Sequence, residues 1–339
     1  MAVQTHRRKV SIVLPCYNEE KNVPLIYQAI KTHMPDGYTR ELIFVNDAST
    51  DGTLEEIRAI SLQDPSVEFV SFSRNFGHQN ALRAGLDVAS GDCVITMDAD
   101  LQHPPSLIPE LLKHWRLHND VVYTIRGEDG TLPMGKRITA RLFYQIINTL
   151  TGLHIVPGSA DFRLLDRKVV NALKQHTEQF VFYRGLIASL GFKQLGIKYQ
   201  PGQRKFGKTN YTLSRMFAFA LDGITSFSII PLRISVFFGL ISAGAAFAYG
   251  IYALVMYFAT NLTVPGWTSA VLAILFIGGV QLVMIGIMGE YLGKMFFEVK
   301  RRPPYIVSET SFSKKIETII GIPGPVNETS PSVLVEGKS

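Results

Sequence analysis

The feature that most constrains this chain is a stretch of 56 residues, 234–289, without a single Asp, Glu, Lys, Arg or His. A short segment rich in Asn, Thr, Pro and Gly, 261–267, divides it into apolar runs at 234–258 and 268–289. About 20 apolar residues are enough for a helix to cross the ~30 Å hydrocarbon core of a bilayer. The sequence therefore predicts two transmembrane helices joined by a hairpin, and it excludes a wholly soluble protein.

Positive charge is concentrated beside these apolar runs. The chain of 339 residues has a formal net charge of +6, and the flanks 201–233 and 290–302 carry the whole excess. The hairpin has no charged residue. Because Lys and Arg favour the cytoplasmic side of a membrane, we expect the N-terminal part and the C-terminus in the cytoplasm and the hairpin outside. Nucleic acid is a poor candidate partner, since the basic residues adjoin the membrane.

Other compositional features narrow the class of protein further. Hydrophobic residues make up 47% of the chain, which excludes extensive disorder. Cys16 and Cys93 are the only cysteines, too few for a disulfide framework or a zinc site, and they favour a reducing compartment. The first nine residues are polar and basic, so no signal peptide is expected there.

Short apolar runs alternate with helix-like stretches from residue 10 to 125. Strands are predicted at 10–15, 41–46, 67–71, 92–97 and 121–125, with helices between them at 19–32, 53–62, 80–89 and 105–117. The strands are rich in Val, Ile and Phe and show little polar alternation, which is typical of a parallel sheet covered on both faces. The pattern predicts a doubly wound α/β domain.

Two segments near the membrane have amphipathic helical patterns. Apolar residues fall on one helical face over about 135–150, with basic residues near its start, and 211–230 repeats the pattern. The first segment fits either a helix packed in the core or an interfacial helix lying on the bilayer. The segment from residue 303 onward is rich in Pro, Ser and Thr, and we expect it to be loosely ordered.

Two carboxylates follow the fourth predicted strand directly, at Asp98 and Asp100. Such a pair cannot be both buried and ionised without a counter-cation. A divalent ion such as Mg²⁺ or Mn²⁺, bridging the pair to a diphosphate, would resolve this, and Gln102 could add a neutral oxygen. A solvated turn is the alternative interpretation of the same residues.

Polar residues also follow the first two predicted strands, at 15–19 and 46–47. In open α/β sheets, ligands bind at the carboxyl ends of strands, where we expect the first, second and fourth strands to be neighbours. Tyr17 could lie on a base or ribose, and Asp47 could accept from a ring N–H, so a nucleotide fits. Glu19 would equally suit an ordinary helix start. Since no Gly-rich phosphate loop is present, a metal is needed for the diphosphate.

These motifs resemble a known family. The segments 13–19, 45–53 and 98–102 resemble family 2 glycosyltransferases with the A-type fold. The segments 73–77, 161–163 and 289–293, with the paired apolar runs, are similar to the polyprenyl-phosphate branch, which includes bactoprenol glucosyltransferases and dolichol-phosphate mannose synthase. The resemblance runs from about residue 10 to 308.

The resemblance implies a domain order. It implies an α/β, Rossmann-like A-type catalytic domain with amphipathic juxtamembrane helices and two C-terminal transmembrane helices. The boundaries are 1–200 for the cytoplasmic catalytic domain, 201–233 for a basic loop and juxtamembrane helix, 234–258 and 268–289 for the spans, and 290–339 for a cytoplasmic tail.

The resemblance also implies roles on the donor side of the site. The nucleoside would be held by four residues: Pro15, Tyr17, Glu19 and Asp47. Asp100 and Gln102 would bind Mg²⁺ or Mn²⁺, and Asp98 would assist at the sugar diphosphate. Asp161 resembles a family acid near the active site and is a further catalytic candidate.

On the acceptor side, the resemblance implies a set of cations that meet the lipid phosphate: Arg126, Lys136, Arg137, Arg204 and Lys208. The sequence departs from the family pattern at two positions. Asn210 stands where relatives often carry Lys, with Lys208 two residues earlier. Ala140 stands near a position where some relatives use a Ser hydroxyl.

The implied reaction is inverting transfer of a single sugar from a nucleotide diphosphate to a membrane polyprenyl phosphate, undecaprenyl or dolichyl. Glucose is the preferred sugar, with UDP-glucose as its donor. The alternative is transfer of mannose from GDP-mannose to a dolichyl acceptor. A non-catalytic nucleotide-binding membrane anchor, a processive polysaccharide synthase and a lipid flippase are the competing interpretations. We expect a homo-oligomer in a bacterial inner membrane.

Overall fold

The fold is built on an eight-stranded mixed sheet. The computed structural model describes residues 7–127, 145, 148–149, 151–152, 156–179, 181–200, 225, 228–260 and 266–312. The strands are β1 (Arg8–Cys16), β2 (Tyr38–Asn46), β3 (Val67–Phe72), β4 (Cys93–Thr96), β5 (Val121–Arg126), β6 (Ser159–Asp166), β7 (Gln194–Tyr199) and β8 (Val307–Thr310). The helices are α1 (Val23–His33), α2 (Thr53–Gln63), α3 (His78–Val88), α4 (Ile108–Arg116, after a 3₁₀ turn at Pro105–Leu107), α5 (Arg167–Lys174), α6 (Tyr183–Ser189), α7 (Ile230–Thr260) and α8 (Trp267–Lys300).

The strand order across the sheet is β7-β5-β6-β4-β1-β2-β3-β8. β1 pairs in parallel with both β2 and β4, which confirms the expected neighbours at the centre of the sheet. β6 lies antiparallel between β4 and β5, and β8 is antiparallel to β3 at one edge. Since two antiparallel steps separate them, β4 and β5 point the same way, and their carboxyl ends share one edge of the sheet.

Helices cover the sheet on both faces, as the apolar strands require. The side chains of β1 alternate between two apolar clusters, with Ile12 in one and Val13 in the other. Buried residues of α1, α2 and α4 pack in the first cluster, and those of α3, α5 and α6 in the second. This is a doubly wound arrangement, because the crossovers through α1 and α2 pass over one face of the sheet, and the crossover from β3 to β4 through α3 passes over the other.

The five predicted strands and the helices between them are present, with shifted ends. β2 begins at Tyr38 rather than 41, and α1 begins at Val23 rather than 19. Residues 19–22 form a turn instead, in which the amides of Asn22 and Val23 both donate to the carbonyl of Glu19. Pro24 lies in the first turn of α1, where the missing N–H leaves no helical hydrogen bond unmade.

The segment after α8 corrects one expectation. Residues 303–312 are ordered in the structure, since β8 pairs with β3 and the side chains of Tyr305, Val307 and Phe312 are buried. The loosely ordered segment predicted from residue 303 is therefore wrong for this part. Its Ser and Thr residues serve as hydrogen-bonding groups at the sheet edge, where the Ser311 hydroxyl accepts from the Phe69 amide.

α7 and α8 contain the two predicted membrane spans. The apolar windows Ile230–Met256 and Ala270–Lys300 are long and hydrophobic enough to cross a bilayer, and none of their length is buried inside the chain. α8 continues without a break past Gly289 to Lys300, so residues 290–300 extend a helix instead of beginning the tail. The sequence pattern placed the helices correctly but underestimated the length of both.

Two predicted segments fall largely outside the described residues. Within the predicted interfacial helix 135–150, the structure describes only residues 145, 148 and 149, all helical. Within the basic segment 201–233, it describes residues 225 and 228–233. The candidate acceptor residues Lys136, Arg137, Arg204 and Lys208, together with Asn210 and Ala140, lie outside the described part.

Candidate functional site

The carboxyl ends of β1, β2 and β4 meet at one edge of the sheet and carry the candidate donor residues. Tyr17 follows β1 and is exposed, Asp47 follows β2 and is buried, and the segment 98–103 follows β4. β6 runs the opposite way, so Asp161 near its start lies at this same edge. The topology thus brings together residues that are up to 144 positions apart along the chain.

The segment 98–103 forms a closed loop. The Asp98 amide donates to Nδ1 of His103 at 3.0 Å, which joins the first residue of the loop to the last. Within the loop, the Gln102 amide donates to Oδ1 of Asp100 at 3.0 Å. Leu101 has a φ of 62°, a left-handed conformation that non-glycine residues adopt at a steric cost. The loop therefore presents both carboxylates on a strained and internally bonded turn.

The oxygen atoms of this loop fit a hard divalent cation. Oδ1 of Asp98 is buried and accepts no hydrogen bond from the described residues, although Nε2 of His78 lies 3.6 Å from it, and Asp100 is buried beside it. A buried carboxylate oxygen without a donor is costly unless a cation or ligand compensates it. No group of three or more His, Cys, Asp and Glu side chains in the described ranges is placed to hold a metal alone. An ion bound to Asp100 and Gln102 would thus need further oxygens from a ligand.

Asp161 is held by cationic side chains from three elements. Arg184 of α6 donates to both carboxylate oxygens, at 2.9 and 3.0 Å, and Arg163 of β6 lies 3.4 Å from Oδ1. Nε2 of His78 lies 3.8 Å from Oδ2. Burial raises the pKa of Asp161, but Arg184 and the other cations outweigh it and hold that pKa well below its usual range. The carboxylate is therefore ionised at neutral pH and a poor proton acceptor.

His78, the first residue of α3, lies between Asp161 and Asp98. Its Nε2 is 3.6 Å from Oδ1 of Asp98, and its side chain is 42% exposed at the sheet edge. Burial lowers the pKa of His78, whereas the close contact with Asp161 and the charges of Asp98 and Asp161 raise it, to about 9. The imidazole is therefore a cation at neutral pH and neutralises part of the carboxylate charge.

The loops after β1 and β2 are bonded to each other. The Asn18 side chain accepts from the Thr50 amide at 2.8 Å, and the Asn18 amide donates to the Ser49 hydroxyl at 3.0 Å. Asn18 and Ala48 both have positive φ, at 57° and 53°. Backbone strain of this kind persists only where surrounding contacts over-determine it, as at ligand sites. These contacts hold the backbone of the loop after β1, next to Tyr17, in one conformation.

Asp47 makes backbone contacts that the sequence did not indicate. Its carboxylate accepts from the amides of Phe76 at 2.7 Å and Gly77 at 2.9 Å, just before α3. Burial raises the pKa of Asp47, and the two amides and His78 oppose this rise. Each oxygen of the Asp47 carboxylate thus accepts one backbone amide at the start of α3.

The other two predicted nucleoside residues lie beside this site. Pro15, in β1 opposite Val45, is buried, and the Glu19 amide donates to the Thr53 hydroxyl at 2.8 Å.

Arg126 ends β5 at the same edge of the sheet, and its side chain is exposed. It pairs in register with Tyr199, the last residue of β7. Burial raises the pKa of the Tyr199 phenol, Arg126 opposes this shift, and Asp98 and Asp100 add to it. Arg126 and the segment 98–103, the carboxylate loop, therefore lie at the same edge of the sheet, at the ends of β5 and β4 on either side of β6.

Sequence reasoning missed several residues that shape this site, namely His78, His103, Arg184 and Tyr199. His103 is five residues from Asp98, and that proximity is a signal that could have identified it. The others come from distant segments on elements that the sequence pattern did not identify or did not connect to the loop. Their partners depend on the strand order.

The chain matches the family model for glycosyl transferase family 2 over residues 11–174. It is 40% identical over 301 residues to the uncharacterized glycosyltransferase YkcC of Bacillus subtilis, covering 88% of this chain and 93% of the relative. It is 39% identical over 300 residues to the prophage bactoprenol glucosyl transferase homolog of Escherichia coli, covering 88% and 98%. Its identity to the bactoprenol glucosyl transferase of Shigella phage SfII is also 39%, over 303 residues, covering 89% and 98%.

Among solved structures, the chain overlaps glucosyl-3-phosphoglycerate synthase from Mycobacterium tuberculosis. The TM-score is 0.43 at 21% identity, over 64% of this chain and 78% of that one, an overlap too small to carry a functional argument. The sequence relatives are closer and span nearly their whole lengths. With its mixed α/β sheet and its two apolar C-terminal helices, the chain belongs to glycosyl transferase family 2 and is similar to the bactoprenol glucosyl transferases within it.

Proposed function

We propose that this glycosyltransferase moves one sugar from a nucleotide diphosphate donor to a polyprenyl phosphate at the membrane surface. The observation that carries the proposal is the closed loop 98–103, which presents Asp98 and Asp100 where β1, β2 and β4 end. The relatives named bactoprenol glucosyl transferases support a polyprenyl acceptor and favour glucose, for which UDP-glucose is the donor. The two apolar helices would keep the enzyme at the surface where the lipid lies.

In this proposal the acceptor needs no general base. A phosphate monoester has its second pKa near ~6, so it is mostly a dianion at pH 7. One of its oxygens forms a bond to the anomeric carbon as the bond from that carbon to the diphosphate oxygen breaks, which inverts the centre and releases the nucleoside diphosphate. The protein contributes position and charge complementarity. This agrees with Asp161, whose carboxylate is occupied by cations and would act by holding Arg184 and His78 in place.

On the donor side, Asp100 and Gln102 would hold Mg²⁺ or Mn²⁺, with Asp98 facing the sugar diphosphate. When bound, the ion supplies positive charge for the departing diphosphate. Tyr17, exposed beside the strand ends, would lie against the nucleoside, while Pro15, Glu19 and Asp47 shape that pocket. These assignments follow from the family resemblance and from the shared edge of the sheet.

The carboxylate loop is tested by replacing Asp100 with Ala. We expect transfer from UDP-glucose to undecaprenyl phosphate to fall by at least about 100-fold, since a group that stabilises developing charge is lost. Glu110→Ala, on the exposed side of α4, is the matched control and should transfer at the wild-type rate. Product is read by mass. Undiminished transfer by Asp100→Ala in Mg²⁺ or Mn²⁺ would contradict the proposal.

The donor and acceptor are tested with a panel. UDP-glucose, other UDP-sugars and GDP-mannose would each be paired with undecaprenyl or dolichyl phosphate. We expect a UDP-sugar and undecaprenyl phosphate to give the most glycolipid. Transfer only from GDP-mannose would support the mannosyltransferase alternative. Donor binding without nucleoside diphosphate release, when the lipid is added, would support a non-catalytic membrane anchor.

Arg126 is proposed to bind the acceptor phosphate, with Lys136, Arg137, Arg204 and Lys208 as the further candidates. Arg126→Ala should weaken the dependence on lipid phosphate while leaving donor affinity near the wild-type value. Arg116→Ala is the matched control, because its guanidinium stacks near Tyr38 at the opposite end of the sheet. Equal losses of donor affinity and lipid-dependent rate in Arg126→Ala would contradict an acceptor role.

The membrane arrangement is also a proposal. The catalytic domain and C-terminus would face the cytoplasm of a bacterial inner membrane, with the hairpin outside, because the Lys and Arg residues adjoin the far ends of both helices. The exposed apolar surfaces of α7 and α8 would contact lipid and other copies of the chain in a homo-oligomer.

A further inference from the structure

The hydrogen bond that closes the loop 98–103 determines which ring nitrogen of His103 is the acceptor. The Asp98 amide can only donate, so Nδ1 of His103 must accept with a free lone pair. The neutral ring therefore carries its proton on Nε2. This contact replaces a backbone hydrogen bond that the loop lacks after β4, where the Met97 amide donates to the Val13 carbonyl and the ladder then stops.

The position of the His103 ring is set by the core. Its ring lies on Phe162 of β6, with centroids 5.3 Å apart and planes 23° apart, and it meets the edge of Tyr199 at 6.2 Å. Only 6% of the residue is exposed. The His103 ring packs on Phe162 of β6, and the Asp98 amide is bonded to that ring. The contact with β6 therefore fixes the orientation of the Asp98 backbone.

The same bond constrains Asp100. Between the two joined ends, Leu101 is left-handed and the Gln102 amide is bonded to Asp100. Opening the contact between Asp98 and His103 would release the strain at Leu101 and let the two carboxylates separate. Partners of this kind, which hold a ligand residue without touching the ion, commonly change metal affinity or activity by about 10–100-fold when they are lost.

We propose that His103 is a positioning residue, which holds Asp98 and Asp100 in a single geometry for a divalent cation by accepting the Asp98 amide through Nδ1. This role rests on the proposed function of the loop. The His103 side chain makes two separate contacts, one through the acceptor atom Nδ1 and one through the aromatic face against Phe162. A substitution can remove either contact and keep the other.

Two variants of the full-length protein in detergent divide these properties. His103→Phe keeps an aromatic ring against Phe162 and removes the acceptor. His103→Asn places a side-chain oxygen near Nδ1 and removes the ring. Mn²⁺ binding in the presence of UDP, followed by electron paramagnetic resonance, is the readout, and transfer from UDP-glucose is measured in parallel.

We expect His103→Phe to raise the Kd for Mn²⁺ by about 10–100-fold and His103→Asn to change it by less than about threefold. Equal affinities in both variants and the wild type would overturn the role of His103, and equal losses in both would show that packing matters and would also overturn it. Wild-type protein that binds no Mn²⁺ and transfers no sugar would instead overturn the proposed function.

If His103→Phe does not fold, His103→Gln takes its place, because its acceptor lies one bond farther out, near the position of Nε2. Weak Mn²⁺ binding by His103→Gln, beside near wild-type binding by His103→Asn, would support the proposal. Equal binding by these two variants would overturn it.

Discussion

Asp161 is a buried anion that lies among cationic side chains. Its two oxygens accept from Arg184, and Arg163 and His78 lie within ionic distance. Arg163 is itself buried, and burial lowers its pKa to about 10, with Asp161 opposing the shift. Asp161 and Arg163 depend on each other, because either would be an uncompensated buried charge alone.

Replacing Asp161 with Asn should therefore destabilise the protein as well as impair transfer. Removal of one partner from a buried ion pair costs about 3–5 kcal/mol in the free energy of unfolding. Chemical unfolding in detergent measures this cost, with Glu110→Gln as an exposed carboxylate control. Wild-type stability of Asp161→Asn, combined with lost transfer, would point to a direct chemical role instead.

His78 should make stability depend on alkaline pH. Its pKa is about 9 in the folded protein, above the unfolded value of 6.5, so the stabilisation is complete below pH 6.5 and is lost as the pH rises through 9. The difference in Tm between wild type and His78→Gln should shrink between pH 6.5 and 9.5. A constant difference over this range would show that the fold does not raise the pKa of His78.

At the scale of elements, the segment after α8 ties the membrane helix to the catalytic sheet. The Glu298 side chain accepts from the Gln179 amide at 2.7 Å, and the Gln179 side chain donates to the Arg302 carbonyl at 2.6 Å. β8 then completes the sheet beside β3, where Glu309 pairs with Arg58 of α2. The last helix therefore leads directly into the edge of the sheet.

Tyr305 is one of the buried residues of this segment. Its ring stacks on Phe72 with centroids 5.1 Å apart, and its hydroxyl donates to Asp87 of α3 at 2.8 Å. Tyr305→Ala should cost about 3–5 kcal/mol in unfolding free energy, as for other large buried aromatic side chains. Tyr305→Phe, which deprives the half-buried Asp87 carboxylate of this donor, should cost about 1–3 kcal/mol.

Thermal and chemical unfolding of the full-length protein measure both changes. Ile306→Ala is the neighbouring control, because Ile306 is half exposed and should change stability by about 0.5 kcal/mol or less. If Tyr305→Ala were as stable as Ile306→Ala, β8 would contribute little to the fold.

For the whole molecule, thiol labelling tests the proposed membrane topology. Both native cysteines are buried, Cys16 at 2% and Cys93 at 0% exposure, so the wild type should give little background. In intact cells, a membrane-impermeant reagent should label Thr263→Cys in the hairpin. Ser332→Cys in the tail should react only after permeabilisation. The reverse pattern would contradict a cytoplasmic catalytic domain.

Local sequence patterns predicted β1 to β5, the helices between them and the two spans. These elements are specified by runs of neighbouring residues, whose apolar spacing and length determine helix, strand or membrane span. The placement of Asp47, Asp98 and Asp100 at one edge of the sheet was predictable as well, because parallel strands share one carboxyl edge. The strands β6, β7 and β8 were not predicted from local pattern. β6 lies between two other strands and β7 and β8 lie at the edges of the sheet, so the formation of each depends on the strand beside it.

The sequence by itself determined the α/β class, the carboxylate loop and the membrane attachment, since each depends on residues close together in the chain. Only the tertiary structure decided which cations surround Asp161, that His103 holds the Asp98 amide, and that the segment after α8 returns to β3. The physical reason is that these contacts join segments whose proximity depends on strand order and register. That information lies in the packing of the whole chain.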